Sequence, residues 1–361
     1  MVLIRTALWL VPVAELAGVA RHVLDAATEG IPGWRLVVLC PEGSLAVELA
    51  VRGVPVVTGP VSPADGTPTA VRAIRRTLQR LRPDLLHTHL AFADLAGVAA
   101  VTGLRAGRGE RIRLISTEHG ISGVRGYYQA GDLQARVKAR AHRARLLRTD
   151  RVIAVSESTA AQVAAQWGRG QKLTVIRNGV DAPRPALQPR AGLRVLSLAR
   201  LAPEKNIDQL VQAFAFVADE YPKARLTIAG RGPEEGALRT LAYSRHLEDR
   251  IDFPGHVDAD EALRAHDVVV QLSAWENLSY TLLDAVAHGL GVVATDVGGN
   301  GEILPGRCLV TADEARLPES VAARIVEQGL DLAARPVSAE HGLTVAEMTA
   351  AIADVYGEVA A

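Results

Sequence analysis

The chain has 361 residues, of which 48% are apolar and only 4% aromatic, and its 40 basic side chains balance 40 acidic ones. So much aliphatic side chain excludes an intrinsically disordered protein, and the length exceeds the roughly 150 residues of an ordinary single domain. No apolar run approaches the ~20 residues that a membrane-spanning helix needs. We therefore expect a globular protein of two domains.

The two halves of the chain carry opposite charge. Residues 1–185 hold 25 Lys and Arg against 14 Asp and Glu, a net of +11, whereas residues 186–361 hold 15 against 26, a net of −11. Neighbouring domains can differ in this way without functional meaning, or the basic half can attract an acidic acceptor or an anionic membrane. Either interpretation predicts a domain boundary near the middle of the chain.

Two features bear on the compartment in which the protein works. The first residues, MVLIRTALWLVPVA, are compatible with a signal peptide or with a buried strand, and we favour the strand because the helical pattern GVARHVLDAATEG follows at once. Cys40 and Cys308 each lie among apolar residues and are expected to be buried free thiols in a reducing compartment. Both features favour a cytoplasmic protein.

Short apolar runs alternate with longer helical patterns, which predicts an α/β fold with parallel sheets. The predicted strands are RLVVLC, PDLLHTHL, RIRLIST, DRVIAVS and KLTVIRNGV in the first half and RVLSLAR, ARLTIAG, RIDFPGHV, DVVVQLS and GVVATDV in the second. A proline-rich stretch without periodicity separates the two series, and the last segment, TVAEMTAAIADVY, has the pattern of an amphipathic helix. The expected parts are a first domain, a linker, a second domain and a terminal helical segment, at 1–182, 183–192, 193–338 and 339–361.

In an open parallel sheet, ligands bind beyond the carboxyl ends of the strands. The residues that end or follow the predicted strands are therefore the candidate site residues, and they are mostly polar. In the first half they are His87, His89, Thr117, Glu118, His119, Gly120, Ser156, Asn178 and Gly179, and in the second Arg200, Lys205, residues 230–232, Glu276, Asn277 and residues 296–302.

Two cations follow the first strand of the second half. The segment LARLAPEKNIDQLVQAF places Arg200 at a strand end and Lys205 just before a helix. Such a pair makes a pocket for a diphosphate, since Arg offers a planar fork of donors, Lys a point charge and the helix its free N–H groups. The alternative is a pair of solvated loop charges.

The strongest signal is the segment SAWENLSYTLLDAVAHGLGVVATDVGGNGEIL. A strand is expected to end at Ser273 and a helix to begin near Leu278 or Ser279, with N–H groups available to an anion. Glu276 and Asp284 lie among apolar side chains, and each carboxylate can accept two hydrogen bonds from a vicinal diol, as in a hexose or a ribose. An acid and base pair of the glycosidase kind, or an acid at a helix start with a surface Asp, are the alternatives.

Glycines and histidines complete the set of candidates. Gly298 and Gly299 follow the next strand, where they permit close backbone approach to a ligand or a tight turn. His119 comes directly after a strand, where its imidazole can donate to a sugar hydroxyl or a phosphate oxygen, or serve a structural role in a loop. His87 and His89 are expected to point to opposite faces of their strand, so we predict no metal site there.

Taken together, these segments resemble the retaining nucleotide-sugar glycosyltransferases of family four, which consist of two facing Rossmann-like domains in the GT-B architecture. The resemblance covers nearly the whole chain. It is carried by AGVARHV, HTHL, TEHG, VIAVSES and VIRNGVD in the first half and by ARLAPEKN, AGRGP, the segment from Glu276 to Asp284 and VGGNGEI in the second, which stand in the family's order. It implies a C-terminal helix that returns to the N-terminal, acceptor-side domain.

The resemblance also implies roles for individual residues. Arg200 and Lys205 would contact the donor diphosphate and Glu276 the transferred sugar. Asp284 would contact the ribose, and His119 would lie near the reacting sugar, with no metal ion and no cofactor. The remaining donor-binding positions that the resemblance implies are Gly18, Gly230, Asn277, Leu278, Gly298 and Gly299.

Three positions depart from the family's pattern. Asp284 stands where the family normally has the longer Glu, Asn277 where Gly is usual, and Ala17 where the first of two glycines is usual. These departures leave the donor open, with a UDP- or GDP-sugar expected.

We therefore expect a retaining glycosyltransferase that moves a hexose-type sugar from a nucleotide diphosphate-sugar to a hydroxyl of a glycan, glycolipid or secondary-metabolite acceptor. A nucleotide-sugar epimerase, a phosphorylase on the same fold and a non-catalytic sugar-nucleotide-binding subunit are the alternatives. No nucleic-acid partner is expected.

One basic run lies outside these segments. LQARVKARAHRARLLRTD, residues 133–150, follows Tyr127 and Tyr128. It suits peripheral contact with an anionic membrane or a lipid-linked diphosphate acceptor, which would place the protein at the inner face of the plasma membrane. The alternative is an Arg-rich solvated helix that covers its neighbour.

Overall fold

The computed structural model describes residues 4–120, 132–168, 172–183, 188–337 and 342–361. The chain divides into two compact units. The first unit consists of residues 1–179 together with 343–361, and the second of residues 180–342. Each contains one parallel sheet with helices connecting its strands.

The first unit has a seven-stranded sheet of order β3-β2-β1-β4-β5-β6-β7, in which all neighbouring strands are parallel. Its strands are β1 (Arg5–Leu10), β2 (Trp34–Cys40), β3 (Val56–Thr58), β4 (Leu85–His89), β5 (Arg113–Glu118), β6 (Arg151–Ala154) and β7 (Leu173–Val175). Its helices are α1 (Gly18–Glu29), α2 (Ser44–Val51), α3 (Thr67–Leu81), α4 (Ala91–Val101), α5 (Asp132–Leu146), α6 (Glu157–Trp167) and α13 (Val345–Ala360).

The second unit has a six-stranded parallel sheet of order β10-β9-β8-β11-β12-β13. Its strands are β8 (Arg194–Leu198), β9 (Arg225–Ala229), β10 (Ile251–Gly255), β11 (Val268–Gln271), β12 (Gly291–Thr295) and β13 (Leu309–Val310). Its helices are α7 (Ile207–Glu220), α8 (Glu235–Ser244), α9 (Ala259–Ala265), α10 (Tyr280–Ala287), α11 (Asn300–Ile303) and α12 (Pro318–Leu330).

The C-terminal helix α13 belongs to the first unit. It begins with a capping box, in which the Thr344 hydroxyl and the Glu347 carboxylate exchange hydrogen bonds with backbone N–H groups, and it packs against α1. Its apolar face is buried in the first unit's core. The buried face consists of Val345, Met348, Ile352, Val355, Tyr356 and Val359.

Both sheets reverse their strand order once, between β1 and β4 in the first unit and between β8 and β11 in the second. In an open α/β sheet, ligands bind beyond the carboxyl ends of the strands at such a reversal. The loops after these four strands are therefore where a binding site is expected.

The α/β prediction and all the predicted strands are confirmed, and the apolar N-terminal run forms β1. The short edge strands β3 and β13 were missed because two or three residues carry no measurable period. Cys40 and Cys308 are buried free thiols as expected, and desolvation raises the pKa of each to about 11. Among the described residues, no helix has the length and hydropathy needed to cross a membrane.

Candidate active site

In the second unit, Lys205 and Glu276 meet at the point where the strand order reverses. Lys205 follows β8, Glu276 follows β11, and the ammonium Nζ donates to the carboxylate Oε1 across 71 positions of sequence. Their side chains are only 21% and 14% exposed, respectively, so this is a largely desolvated ion pair. The acid that lay among apolar residues in the sequence thus has a cation as its partner.

Local backbone structure holds these two loops together. Pro203–Lys205 form a 3-10 turn that ends at Asn206, which adopts a left-handed conformation with φ +47°. The Asn206 side chain donates to the carbonyl of Leu272 at 2.9 Å, and the Ala274 N–H donates to the carbonyl of Glu204 at 2.8 Å. These two hydrogen bonds tie the loop after β8 to the loop after β11, which fixes the position of Lys205 relative to Glu276.

Arg200, the other predicted cation, pairs with Glu204. The Arg200 side chain is 58% exposed, whereas the Glu204 side chain is buried. Guanidinium carries five N–H donors and ammonium three, so each cation has more donors than one carboxylate uses. The two cations follow the same strand and offer charge-assisted donors from one loop. The sequence did not reveal that each of them forms an ion pair with a glutamate.

The glycines of this unit make close backbone contacts. A Cβ on Gly298, which has φ +58°, would lie 1.8 Å from the carbonyl oxygen of Glu276, and the Gly299 N–H donates to the carbonyl of Asn277 at 2.6 Å. At Gly230, with φ +135°, a Cβ would lie 1.9 Å from the carbonyl oxygen of Ala199. Gly298 and Gly230 are thus required by the backbone of the Glu276 loop and the Arg200 loop respectively.

The helix that carries Asp284 begins later than expected. It starts at Tyr280, and Ser279 is its N-cap, so Leu278 is a buried loop residue. Asp284 is 7% exposed, so the alternative of a surface Asp is wrong. Asn277 keeps a buried side-chain Oδ1 with no hydrogen-bond partner among the described residues, an acceptor that a ligand hydroxyl can satisfy.

In the first unit, His119 belongs to a cluster of imidazoles beyond the ends of β4 and β5. Its Nε2 lies 3.0 Å from Nδ1 of His89, and its ring contacts that of His22 edge to face with centroids 4.9 Å apart. The Nδ1 of His22, which lies on α1, is 3.2 Å from Oδ1 of Asn178. The rings of Trp9 and His89 pack 4.6 Å apart beneath the cluster.

Burial keeps these imidazoles neutral. Desolvation lowers the pKa of His22 to about 4, even though its hydrogen bond to Asn178 acts in the opposite direction. Desolvation, followed by the charges of the neighbouring imidazoles, holds the pKa values of His87, His89 and His119 well below the usual 6.5. A neutral imidazole has one N–H donor and one bare nitrogen, so each ring can donate to one group and accept from another.

The expectation that His87 and His89 point to opposite faces is wrong. Their rings stack with centroids 4.5 Å apart, because residues two positions apart in a strand lie on the same face. Within the described part of the chain, one group has the arrangement of potential metal ligands: one nitrogen each of His22, His89 and His119 lies within 4.8 Å of the others. The absence of a metal from the reaction stays a prediction.

A second set of hydrogen bonds connects the cluster to the C-terminal helix. Nε1 of Trp9 donates to the Tyr356 hydroxyl at 2.6 Å, that hydroxyl lies 2.6 Å from Nδ1 of His87, and Nε2 of His87 lies 2.7 Å from Oγ1 of Thr117. A hydroxyl that accepts from Trp9 keeps one proton and a second acceptor site, so either tautomer of His87 can complete this chain of hydrogen bonds. Helix α13 thus belongs to the polar network that surrounds His119's strand.

Gly18 is the first residue of α1, and a Cβ there would meet nothing within 4 Å. The N-cap, Ala17, provides no side-chain hydrogen bond to the first turn. Both residues are exposed, so this helix start is open to a ligand on the side of β1. Packing within the unit does not itself require the glycine.

The basic run at 133–150 is not a uniformly solvated face. In helix α5, Arg145 is buried and forms ion pairs with Glu118 and, at 3.0 Å, with Asp94. Burial and the nearby Glu118 raise the pKa of Asp94 well above its usual value, and Arg145 opposes this shift. Tyr127 and Tyr128 lie outside the described residues.

Several residues of these networks were not candidates from sequence. His22, Glu204 and Arg145 lie in patterns that are typical of helix faces and loops. Asn178 and Glu118, the partners of His22 and Arg145, are far away in the chain, whereas Glu204 pairs with Arg200 only four positions before it. The only available signal was a polar residue on an apolar helix face, as for His22 between Ala20 and Val23. That signal alone does not identify a partner.

The comparisons with known proteins agree over most of the chain. The family profile of Glycosyltransferase Family 4 matches residues 16–184, and that of Glycosyl transferases group 1 matches residues 185–306. Glycogen synthase of Mycobacterium tuberculosis is 28% identical over 330 residues, covering 81% of this chain and 78% of that protein.

Two further proteins are similar to parts or all of the chain. A GDP-mannose-dependent alpha-(1-6)-phosphatidylinositol monomannoside mannosyltransferase of Mycobacterium tuberculosis is 31% identical over 206 residues, covering 51% of this chain and 53% of that protein. HepE of Anabaena, solved in complex with UDP and glucose, has a TM-score of 0.79 at 20% identity, covering 97% of this chain and 99% of that one. This likeness shows the fold, with two Rossmann-like domains.

Proposed function

We propose that this protein moves a hexose-type sugar, with retention, from a nucleotide diphosphate-sugar to an acceptor hydroxyl. The proposal starts from its family, because the chain belongs to the group 1 glycosyl transferases and is a glycosyltransferase of the GT-B fold. The transfer uses no metal ion and no cofactor. The acceptor is a glycan, a glycolipid or a secondary metabolite.

The observation that carries this proposal is the Lys205–Glu276 ion pair at the strand reversal of the second unit. A diphosphate and the sugar attached to it need a cation and a carboxylate side by side, because the phosphates are anionic and the sugar hydroxyls donate hydrogen bonds. Arg200, on the same loop as Lys205, adds a second set of donors. As the sugar leaves the diphosphate, negative charge grows on the phosphate oxygens, and these cations stabilise it.

The two acids have different tasks in this reaction. Glu276 accepts hydrogen bonds from the transferred sugar and keeps Lys205 in place, whereas Asp284, buried on α10, accepts from the ribose hydroxyls. The fixed loop after β11 gives the donor one orientation, and orientation by itself removes a large part of the barrier to a two-substrate reaction. Gly298 supports this loop by its close approach to the Glu276 carbonyl.

In the first unit, His119 contributes a neutral imidazole that contacts the reacting sugar. Its pKa is held well below the usual value by desolvation, so the ring stays uncharged at neutral pH and offers a hydrogen bond without a charge. The open helix start at Gly18 receives a phosphate or sugar oxygen.

The donor nucleotide is UDP or GDP. One structural neighbour was solved with UDP and glucose, and one relative is GDP-mannose-dependent, which makes UDP-glucose and GDP-mannose the first donors to test.

The test is thermal stabilisation by UDP, GDP, ADP, CDP and dTDP with a chelator present, on the wild type and on Arg200→Ala. A ligand that binds only the folded state raises the unfolding midpoint. We expect a rise with UDP or GDP that is strongly reduced in the variant. No rise with any nucleotide, or a rise that persists unchanged in Arg200→Ala, would contradict the proposed donor site.

A peripheral contact with an anionic membrane belongs to the same proposal. Within the basic run, Arg140 and Arg143 are exposed, whereas Arg145 is buried. Anionic lipid attracts basic segments by about 1 kcal/mol per cation near the surface. Co-sedimentation with vesicles that contain phosphatidylglycerol should exceed that with neutral vesicles, and equal binding to both would remove the membrane contact from the proposal.

A further inference from the structure

The imidazole of His89 contacts the imidazole of His119. Nδ1 of His89 lies 3.0 Å from Nε2 of His119, and the two rings stack with centroids 5.3 Å apart. His89 is fully buried, whereas His119 is partly accessible. A ligand can therefore reach the His119 ring, but the Nε2 of that ring already has His89 as its hydrogen-bond partner.

The hydrogen bond between these rings has one consistent direction. Both rings are neutral because desolvation lowers their pKa values, so each carries one N–H. Nε2 of His89 is buried and has no hydrogen-bond partner among the described residues. If the proton of His89 lay on Nε2, a buried N–H would be left without an acceptor, which costs more than leaving a bare nitrogen without a donor.

The proton of His89 is therefore on Nδ1, and it is donated to Nε2 of His119. That nitrogen of His119 must then be bare, which places the proton of His119 on Nδ1. The two neighbouring imidazoles each have another hydrogen-bond partner. His87 is already committed to Tyr356 and Thr117, and the Nδ1 of His22 lies against Asn178.

We infer that His89 is a positioning residue for the transfer reaction: by donating to Nε2 of His119, it fixes His119 as the Nδ1–H tautomer and thereby presents an N–H donor to the reacting sugar. This inference rests on the proposed function for its consequence in catalysis. The tautomer itself rests on the geometry and the burial of the cluster and can be measured without any substrate.

The first test measures the tautomer. Nitrogen NMR of chelator-treated protein labelled with 15N-histidine distinguishes a protonated from a bare ring nitrogen, and a His119→Gln variant assigns the His119 signals among the 10 histidines. We expect a protonated Nδ1 and a bare Nε2 for His119 at pH 7.5. The opposite pattern, or a charged ring, would overturn the inference whether or not the protein is a glycosyltransferase.

The second test uses two amides in place of His89. In His89→Asn the amide nitrogen occupies nearly the position of Nδ1 and can still donate to His119, whereas in His89→Gln it reaches toward the position of Nε2 instead. With hydrolysis of UDP-glucose and of GDP-mannose as the assay, His89→Gln should lower kcat by about tenfold, the value of one lost hydrogen bond, with the donor KM unchanged. His89→Asn should retain most of the wild-type kcat.

A double-variant comparison separates positioning from a general loss of structure. In a His119→Ala background, the difference between His89→Asn and His89→Gln should disappear, because the residue through which His89 acts is gone. A difference that persists in that background, or equal kcat values for the two single variants, would overturn the inference. Absence of hydrolysis of either donor by the wild type would instead count against the proposed donors, and the NMR result would stand on its own.

Discussion

At the scale of single residues, two close contacts fix the position of Glu276 in the proposed donor site. The Glu276 side chain accepts from Lys205, while its carbonyl oxygen lies against Gly298 at a distance that leaves no room for a Cβ. Glu276 is thus held at its side chain by a cation on one loop and at its backbone by a glycine on another. Substitution of Glu276 should therefore affect mainly turnover, whereas substitution of Gly298 should affect stability and nucleotide binding.

Gly298→Ala should destabilise the protein and reduce nucleotide binding. A Cβ would meet the Glu276 carbonyl at 1.8 Å, and φ +58° disfavours any side chain, so the Glu276 loop must shift. We expect a loss of about 1–3 kcal/mol in the free energy of unfolding, measured by urea denaturation. The matched control is Gly236→Ala in helix α8, where a Cβ meets nothing within 4 Å and where the change should be neutral or slightly stabilising.

The two acids should separate turnover from binding. Glu276→Ala removes the contact to the transferred sugar and should lower turnover by about 100-fold or more, with only a small change in the affinity for UDP or GDP. Asp284→Ala should weaken nucleotide binding by roughly tenfold, as expected for lost hydrogen bonds to a charged acceptor. Initial rates and calorimetric titration measure the two effects, with the exposed Glu319→Ala as the control. Unimpaired transfer in both variants would contradict the assigned roles.

At the scale of elements, a buried ion triad joins three parts of the first unit. Arg145 of helix α5 pairs with Glu118 at the end of β5 and with Asp94 of helix α4, and its guanidinium lies 4.9 Å from the centroid of the Trp167 ring in α6. Glu118 directly precedes His119. The triad therefore anchors the end of the strand from which the predicted catalytic histidine projects.

Arg145→Met should destabilise the first unit by about 3–5 kcal/mol, because two buried carboxyl groups would lose their shared cation. Urea denaturation followed by tryptophan fluorescence measures this loss. Arg140→Met changes the same helix at an exposed position and should remain within about 0.5 kcal/mol of the wild type. If the two variants had equal stability, the triad would not be a structural anchor.

At the scale of the whole molecule, desolvation keeps four imidazoles neutral among the described residues of the first unit. The pKa of His22 is lowered to about 4, and those of His87, His89 and His119 are held well below 6.5, in each case chiefly by desolvation. In the unfolded chain these residues bind protons near pH 6.5. The unfolded state therefore binds more protons than the folded state on acidification.

The first unit should consequently lose stability as the pH falls below 6.5, and the loss attributable to His22 should continue down to about pH 4. Each such histidine contributes up to about 1.4 kcal/mol per pH unit within its window. Denaturation at pH 7.5, 6.5 and 5.5 measures the slope. His22→Asn removes one of these proton-binding sites and should reduce the slope, whereas a slope unchanged from the wild type would contradict the burial of a neutral ring at this position.

The succession of strands along the chain and the candidate positions after their ends were accessible from sequence. Alternating apolar runs and helical patterns predict parallel sheets, and parallel sheets place ligand-binding residues after the strand ends. Arg200, Lys205, Glu276 and His119 were chosen as candidates by this rule, and each lies after the predicted strand. The short β3 and β13 were not found, because periodicity needs more residues than these strands have.

Sequence by itself determined the fold class, the two-part organisation and the residue types of the candidate site, because local periodicity and the positions of strand ends follow from the side-chain pattern. Only the tertiary structure decided which groups become partners: Lys205 with Glu276, Arg145 with Asp94 and Glu118, and His89 with His119. These partners come from segments 27 to 71 positions apart in the chain. Contacts between such distant segments depend on strand register and helix packing, and burial then sets the charge of the groups involved.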